Sequence, residues 1–126
     1  MNSKKPLVLI AEDNELNLKL FCDLLEIKGI DYIAVSDGNK VLKVAHETKP
    51  SLILMDIRLN GVSGLDIVDE IKSQPDLSDI PIIALTAFAM KNDKAKALSH
   101  GCAGYLAKPV AVEVFFATID QFIKKI

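Results

Sequence analysis

Residues 7–14, LVLIAEDN, lead from five consecutive aliphatic residues directly into two adjacent acids, Glu12 and Asp13. An uninterrupted apolar run of this length is typical of a strand that is covered on both faces of a parallel sheet. Each acid raises the cost of ionising the other, since two like charges roughly 4 Å apart repel by about 4 kcal/mol at an effective dielectric near 20. The stretch therefore predicts a buried strand whose carboxyl end requires a positive group.

Four more runs of strand length follow, and helical patterns alternate with all five. A strand followed by a helix, five times over, predicts one five-stranded parallel sheet with right-handed crossovers and helices on both faces, a doubly wound α/β fold. The 126-residue chain contains no repeat, low-complexity stretch or linker, so we expect one domain over residues 1–126. The predicted strands lie near residues 8, 33, 53, 84 and 105, and the predicted helices span 14–28, 38–47, 65–73, 91–100 and 111–125.

Composition and charge exclude several functions. The 15 Lys and Arg residues against 17 Asp and Glu give a formal charge of -2, so the chain lacks the basic surface that direct DNA binding requires. Charges interrupt every apolar run before it is long enough to insert into a membrane, and the first six residues do not resemble a signal peptide. We therefore expect a soluble, cytoplasmic protein. Cys22 and Cys102 have the spacing of neither a metal site nor a redox motif, so we expect free thiols.

The carboxyl ends of the predicted strands carry the candidate site, because parallel sheets of this class place their functional residues there. Taken singly, each residue has an ordinary explanation: Asp13 as a helix cap, Asp56 as a loop acid, Lys108 as a solvated side chain. Their convergence at one edge of one sheet favours a shared function. The strand ends supply Glu12 and Asp13 from the first strand, Asp56 from the third, Thr86 from the fourth and Lys108 from the fifth.

Three carboxylates in one place need a cation. Oxygen ligands without a nearby His or Cys favour a hard divalent ion, Mg²⁺ with Mn²⁺ as an alternative, which keeps coordination positions open to phosphate oxygens. Thr86 and Lys108 supply the hydrogen-bond donors and positive charge that a phosphoryl group needs. Asp56 is the predicted nucleophile, because it ends the central strand between the acid pair and Thr86.

The combined motif resembles the receiver domain of bacterial two-component response regulators across essentially the whole chain. Its parts are the acid pair at 12–13, Asp56 in MDIRL, LTA at 85–87, Tyr105, and Lys108 followed by Pro109. The stretches EDNELNLKLFCDLLE and LTAFAMKND further resemble the stand-alone, single-domain cell-cycle regulators of the DivK type. The resemblance implies the strand order 2-1-3-4-5. It also implies a signalling protein that assists its own phosphorylation and dephosphorylation, rather than an enzyme with a separate substrate.

The same resemblance assigns the chemistry of the site. Asp56 accepts a phosphoryl group from a sensor histidine kinase or a histidine phosphotransfer protein. Lys108 contacts the phosphoryl oxygens, together with the backbone of Ile57 and Ala87. The implied metal ligands are Asp13, Asp56, the backbone carbonyl of Arg58 and, through a water molecule, Glu12.

Switching is implied in the same way. Thr86 and Tyr105 reorient when Asp56 is modified, and this changes the surface formed by the fourth helix, the fifth strand and the fifth helix, where downstream proteins bind. A cis peptide bond precedes Pro109 and directs the lysine before it into the site. One departure from the family pattern is Asn60, which stands where many receivers have proline, whereas Gly64 matches the family.

Two alternative functions use a similar sheet. A haloacid dehalogenase-like phosphatase also phosphorylates a strand-end Asp, but its second acid belongs two residues later, where this chain has Arg58. A nucleotide- or flavin-binding module requires a Gly-rich phosphate loop after the first strand, where this chain has Glu12 and Asp13. Both alternatives fit the site residues less well than a receiver does.

The fourth helix offers only Leu98 as a large apolar anchor.

The first helix is apolar around more of its circumference than packing on a sheet requires. A second apolar arc on the first helix indicates either packing against the neighbouring last helix or a surface on which the phosphodonor docks. The sheet-facing arc is predicted to contain Asn17, Leu20, Phe21 and Leu24, and the docking arc Leu18, Cys22 and Leu25.

Overall fold

The computed structural model describes residues 5–59, 61–87 and 91–123, and Asn60 lies outside these ranges. Each predicted helix is present, with ends that differ from the predicted ones by a few residues. None of the helices within the described ranges is long and apolar enough to span a membrane. In chain order the elements are β1 (Leu7–Ala11), α1 (Glu15–Ile27), β2 (Asp31–Val35), a 3₁₀ turn (Gly38–Lys40), α2 (Val41–Thr48), β3 (Leu52–Asp56), β4 (Arg58–Leu59), β5 (Val62–Ser63), α3 (Gly64–Lys72), β6 (Ile82–Thr86), α4 (Lys91–Ser99), β7 (Gly104–Ala107) and α5 (Val112–Phe122).

Five parallel strands form the main sheet, in the order β2-β1-β3-β6-β7. This is the predicted order 2-1-3-4-5 once the two short strands β4 and β5 are set aside, so the fold prediction is confirmed. The register pairs Ala11 with both Val35 and Met55, and Asp56 with Leu85. The carboxyl ends of the strands therefore meet at one edge of the sheet, where the candidate site residues lie.

The sheet is covered on both faces, which explains the continuous apolar runs in the sequence. All residues of β3 and β6 are buried. Alternate residues of each strand point to opposite faces, so β1 contributes Leu9 to one cluster and Ile10 to the other. One cluster packs the sheet against α2, α3 and Ala97 of α4, and the other packs it against α1 and α5. The rings of Phe21 and Phe115, 5.4 Å apart and stacked, join α1 to α5 in the second cluster.

A short hairpin follows β3, and the sequence did not predict it. β4 and β5 pair in an antiparallel manner, with Arg58 opposite Ser63 and Leu59 opposite Val62. Gly61 lies in the connection with a φ of +80°, in the left-handed region that glycine adopts without steric cost. Strands of two residues are too short to show a period in sequence, so the pattern of side chains could not reveal this hairpin.

The predicted faces of α1 and α4 are partly wrong. Leu25 is fully buried, and Leu18 and Cys22 are half-buried against the same cluster, whereas Leu20 is 38% exposed. The buried face of α1 is turned toward Leu25 because the helix packs on α5 as well as on the sheet. Leu25 is therefore a core residue that cannot contribute to the predicted docking arc, and Leu18 and Cys22 are accessible only in part. In α4 the predicted anchor Leu98 is 45% exposed, and the smaller Ala97 is the buried residue.

We expect the different burial of Leu20 and Leu25 on α1 to affect the free energy of unfolding. Leu25→Ala should lower the free energy of unfolding by about 2–5 kcal/mol, because it opens a cavity in a fully buried site. Leu20→Ala should cost about 1 kcal/mol or less, since that side chain is already partly in water. Urea unfolding measures both. A larger loss for Leu20→Ala than for Leu25→Ala would restore the face predicted from the sequence.

Candidate phosphoacceptor and metal site

Glu12 follows β1 directly and is buried at the carboxyl end of the sheet. Its side chain is fully buried, and its backbone N–H donates to the Val35 carbonyl over 3.1 Å, which continues the pairing of β1 with β2. The N–H of Asn14 donates to Glu12 Oε2 over 3.1 Å. Asn14 also begins α1, since its side chain accepts from the Asn17 N–H over 3.0 Å. The helix start thus fixes one oxygen of the buried carboxylate.

Asp56 is the last residue of β3 and is 5% exposed. The backbone N–H of Arg58 donates to Asp56 Oδ1 over 3.0 Å. Asp56 Oδ2 contacts Lys108 Nζ at 2.9 Å. One oxygen is thereby held by the loop that follows the strand, and the other faces the lysine.

Lys108 bridges the two buried acids. Its Nζ lies 2.8 Å from Glu12 Oε1 and 2.9 Å from Asp56 Oδ2. Its backbone N–H donates to the Thr86 carbonyl over 2.7 Å, which continues the pairing of β6 and β7 one residue beyond the strand. The Lys108–Pro109 peptide bond is cis, as the family resemblance implied. The lysine is therefore fixed at both its backbone and its ammonium group.

Burial and charge shift the pKa values of this group. Burial raises the pKa of Glu12 to about 7, and a hydrogen bond with Asp56 acts in the same direction against the opposing effect of Lys108. For Lys108, burial alone would lower the pKa, but the ion pairs with Glu12 and Asp56 outweigh it and raise the pKa above its ordinary value. Lys108 therefore stays charged, and within the described ranges it is the positive partner that both buried acids share.

The acids also fit a divalent cation. Glu12, Asp13 and Asp56 each offer a carboxylate oxygen, and these oxygens lie within 4.8 Å of one another. Glu12 and Asp56 are buried and Asp13 is half-buried, so a cation here would be partly shielded from water. An all-oxygen set of this kind suits Mg²⁺ or Mn²⁺. The donor atoms present therefore match the predicted metal.

Gly64 allows α3 to approach the acceptor strand. Its N–H donates to the Ile57 carbonyl over 2.9 Å. A Cβ at this position would lie 2.0 Å from the carbonyl oxygen of Asp56 and 2.7 Å from Ile57 Cα. Both are backbone atoms that cannot move without displacing Asp56, so the fold requires glycine here.

The backbone of Ile57, which was predicted to contact the phosphoryl oxygens, is already hydrogen-bonded within the fold. Its N–H donates to the Leu85 carbonyl over 3.1 Å and its carbonyl accepts from Gly64, so both groups are already used by the fold. The N–H that faces the acceptor carboxylate belongs to Arg58. Residue types could not distinguish the two positions, because the difference arises from the turn of the backbone into the β4–β5 hairpin. Ala87, the other predicted backbone contact, directly follows β6 and is exposed.

Thr86 and Tyr105 lie near the site on neighbouring strands. Thr86 ends β6, is 3% exposed and pairs with Ala107 of β7. Tyr105 is half-buried in β7, and Lys94 Nζ of α4 lies 5.2 Å from the centroid of its ring. Sequence reasoning missed Lys94, because an exposed lysine in a polar helix gives no signal of a specific partner.

The close approach at Gly64 leads to a stability prediction. Gly64→Ala should destabilise the fold by about 1–3 kcal/mol, since the new methyl group overlaps backbone of the acceptor loop. Gly104→Ala is the matched control, because its Cβ would meet only Ile83 Cδ1 at an ordinary 3.4 Å. Chemical denaturation of both variants tests this. Equal stability of the two variants would show that the loop moves aside without cost.

Comparison with known proteins identifies relatives of the whole chain. Residues 8–120 match the model of the response regulator receiver domain family. The polar-differentiation response regulator DivK of Brucella anthropi is 47% identical over 116 residues, which cover 92% of this chain and 94% of the relative.

Two solved structures resemble both the fold and the sequence. One is the receiver domain of the sensor histidine kinase PA1611 from Pseudomonas aeruginosa, with a magnesium ion coordinated in its active-site cleft. It is 31% identical, with a TM-score of 0.87 over 97% of this chain and 100% of that one. The other is the Saccharomyces cerevisiae receiver domain of Ssk1 in complex with the histidine phosphotransfer protein Ypd1. It is 30% identical, with a TM-score of 0.84 over 94% of this chain and 88% of that one.

Proposed function

Because this chain belongs to the family of response regulator receiver domains, we propose that it is a stand-alone response regulator whose Asp56 accepts a phosphoryl group from a histidine kinase or a histidine phosphotransfer protein. The observation that carries the proposal is the arrangement around Asp56. Its carboxylate lies at the end of β3, contacts Lys108 at 2.9 Å, and sits beside the oxygens of Glu12 and Asp13. Charge of both signs is thus concentrated where a phosphoryl group would arrive.

In the transfer step, a carboxylate oxygen of Asp56 attacks phosphorus as the bond from phosphorus to the donor imidazole nitrogen breaks. The electron pair of that bond stays on the imidazole, and the product is an acyl phosphate on Asp56. Asp13, Asp56, the Arg58 carbonyl and, through water, Glu12 would hold Mg²⁺, which would supply positive charge to the phosphoryl oxygens.

The remaining groups of the chain position the acceptor. Lys108 already lies against Asp56 Oδ2, so its ammonium group needs only a small shift to pair with a phosphoryl oxygen. The Arg58 N–H fixes the other carboxylate oxygen and becomes a donor to the new group, in the place first predicted for Ile57. Both donors already contact the Asp56 carboxylate before reaction, so little reorganisation is required.

The response passes from the site to the surface of α4, β7 and α5. Thr86 ends the strand next to Asp56, and its hydroxyl turns toward the phosphoryl oxygens. Tyr105 turns inward with it, and downstream proteins read the altered surface. The similarity to DivK supports a role in cell-cycle or cell-division control, in the cytoplasm.

The acceptor assignment predicts that Asp56→Asn abolishes phosphorylation and keeps the fold. The amide is a poor nucleophile, and the loss of one of three clustered carboxylates removes like-charge repulsion. Intact mass after incubation with a small-molecule phosphodonor and Mg²⁺ measures the outcome. Asp31→Asn, at an exposed position in β2, is the control and should react like the wild type. Undiminished phosphorylation of the Asp56 variant would exclude it as acceptor.

The exposed apolar residues of α1 suggest where a protein donor docks. Leu16 is 80% exposed and Leu20 38%, and both lie in the first half of α1, near Glu12 and Asp13. Ile27, 73% exposed, lies on the same side about 16 Å further along the helix. In the related yeast complex a receiver domain binds a histidine phosphotransfer protein, which supports a helical partner for this chain as well.

Leu16→Glu should therefore slow transfer from a cognate protein donor about tenfold, which corresponds to losing about 1.4 kcal/mol of docking energy. Phosphorylation by a small molecule should not change, since Leu16 does not belong to the site. Ile27→Glu tests whether the effect depends on distance from Asp56. It adds the same charge further along α1 and should slow transfer from the protein donor less. If Leu16→Glu slowed phosphorylation by the protein donor and by the small molecule equally, the substitution would have damaged the site instead.

A further inference from the structure

α4 is held to the sheet by little apolar surface. Of its side chains that the structure describes, 94–99, only Ala97 is buried. Its large apolar residue, Leu98, is 45% exposed. Apolar burial therefore contributes little to its position, and individual polar contacts carry correspondingly more of it.

Two such contacts join this region to the rest of the fold. His100, directly after α4, pairs with Asp69 of α3 through Nδ1 at 2.7 Å. Lys94 places its ammonium group 5.2 Å from the ring centroid of Tyr105 in β7, within the range of a cation–π interaction. No described carboxylate lies within salt-bridge distance of Lys94. Within the described residues, the ring of Tyr105 is therefore the partner of the Lys94 ammonium group.

The Lys94–Tyr105 contact is close to the site along the strand. Tyr105 is three residues before Lys108, which bridges the buried acids, and two before Ala107, which pairs with Thr86. The position of the Tyr105 ring is therefore linked to the acceptor by a short segment of paired backbone.

We infer that Lys94 is a positioning residue of the switch, which holds the Tyr105 ring against α4 and so favours the unphosphorylated conformation. The inference rests on the proposed function, in which Tyr105 turns inward when Asp56 is modified. That movement takes the ring away from Lys94, so the contact exists in one of the two states. A contact made in one state only shifts the equilibrium by its full energy.

The test uses beryllofluoride with Mg²⁺ as a stable mimic of the phosphoryl group. In Lys94→Met, which keeps an unbranched apolar side chain but loses the charge, the apparent affinity for beryllofluoride should rise about two- to fivefold, as expected for an exposed cation–π contact. Lys94→Arg retains a cation and should restore the wild-type affinity. Lys96→Met is the matched control: the Lys96 side chain is exposed on the same helix and has no described partner, so its loss should change nothing.

A second readout uses the protein without beryllofluoride or metal. The ring resonances of Tyr105 should shift in Lys94→Met, and amide exchange in 94–100 should be faster than in Lys96→Met. In a Tyr105→Leu background, Lys94→Met should have no further effect on amide exchange or on the affinity for beryllofluoride, because the ring it contacts is gone.

The outcomes separate the two claims. A wild-type protein that does not bind beryllofluoride with Mg²⁺ would overturn the proposed function. Normal binding with equal affinities for Lys94→Met and Lys96→Met would overturn the role of Lys94 and leave the function standing. A persistent effect of Lys94→Met in the Tyr105→Leu background would overturn the contact with the ring as its cause.

Discussion

The bridge from Lys108 to Glu12 and Asp56 is the contact on which the site depends. Two buried carboxylates at one sheet edge would repel each other strongly without a cation between them. The lysine that supplies this charge follows the edge strand β7, and its side chain reaches past β6 to Asp56 of β3 and to Glu12 after β1. Asp13 adds a third carboxylate beside this pairing, so the three acids together offer oxygen ligands to a divalent ion. Stability without metal and affinity for metal thus come from the same charge balance.

This balance requires the strands to end in register. β1, β3 and β6 are parallel, and they are apolar except for Asp56 and Thr86 at the ends of β3 and β6, so burial on both faces fixes where each strand ends. A slip of one residue in β3 would turn the Asp56 side chain to the other face of the sheet and remove it from Lys108. The apolar residues of the strands therefore position the site as much as the polar residues that form it.

The ends of the buried strands account for the site residues that the sequence could predict. The positions of Glu12, Asp56, Thr86 and Lys108 follow from strand endings, which apolar runs mark clearly. Which side of α1 is buried depends on a second partner, since the stacking of Phe21 on Phe115 turns the helix toward α5 and no local pattern records this. The N–H donor at Arg58 and the contact of Lys94 with Tyr105 are set by a short hairpin and by one long side chain, which composition and periodicity do not reveal.

The two ends of the proposed signalling route differ in how firmly they are held. At the acceptor, Glu12, Asp56 and Lys108 are fixed by burial, ion pairs and backbone hydrogen bonds, so a new phosphoryl group meets a rigid environment. At α4, one small buried residue and a few polar contacts hold a helix that is otherwise polar. A change in charge at a rigid site is relieved where the structure yields most easily. In the proposed switch, weak packing of α4 is therefore the property through which a reaction on Asp56 would alter a surface on another part of the molecule.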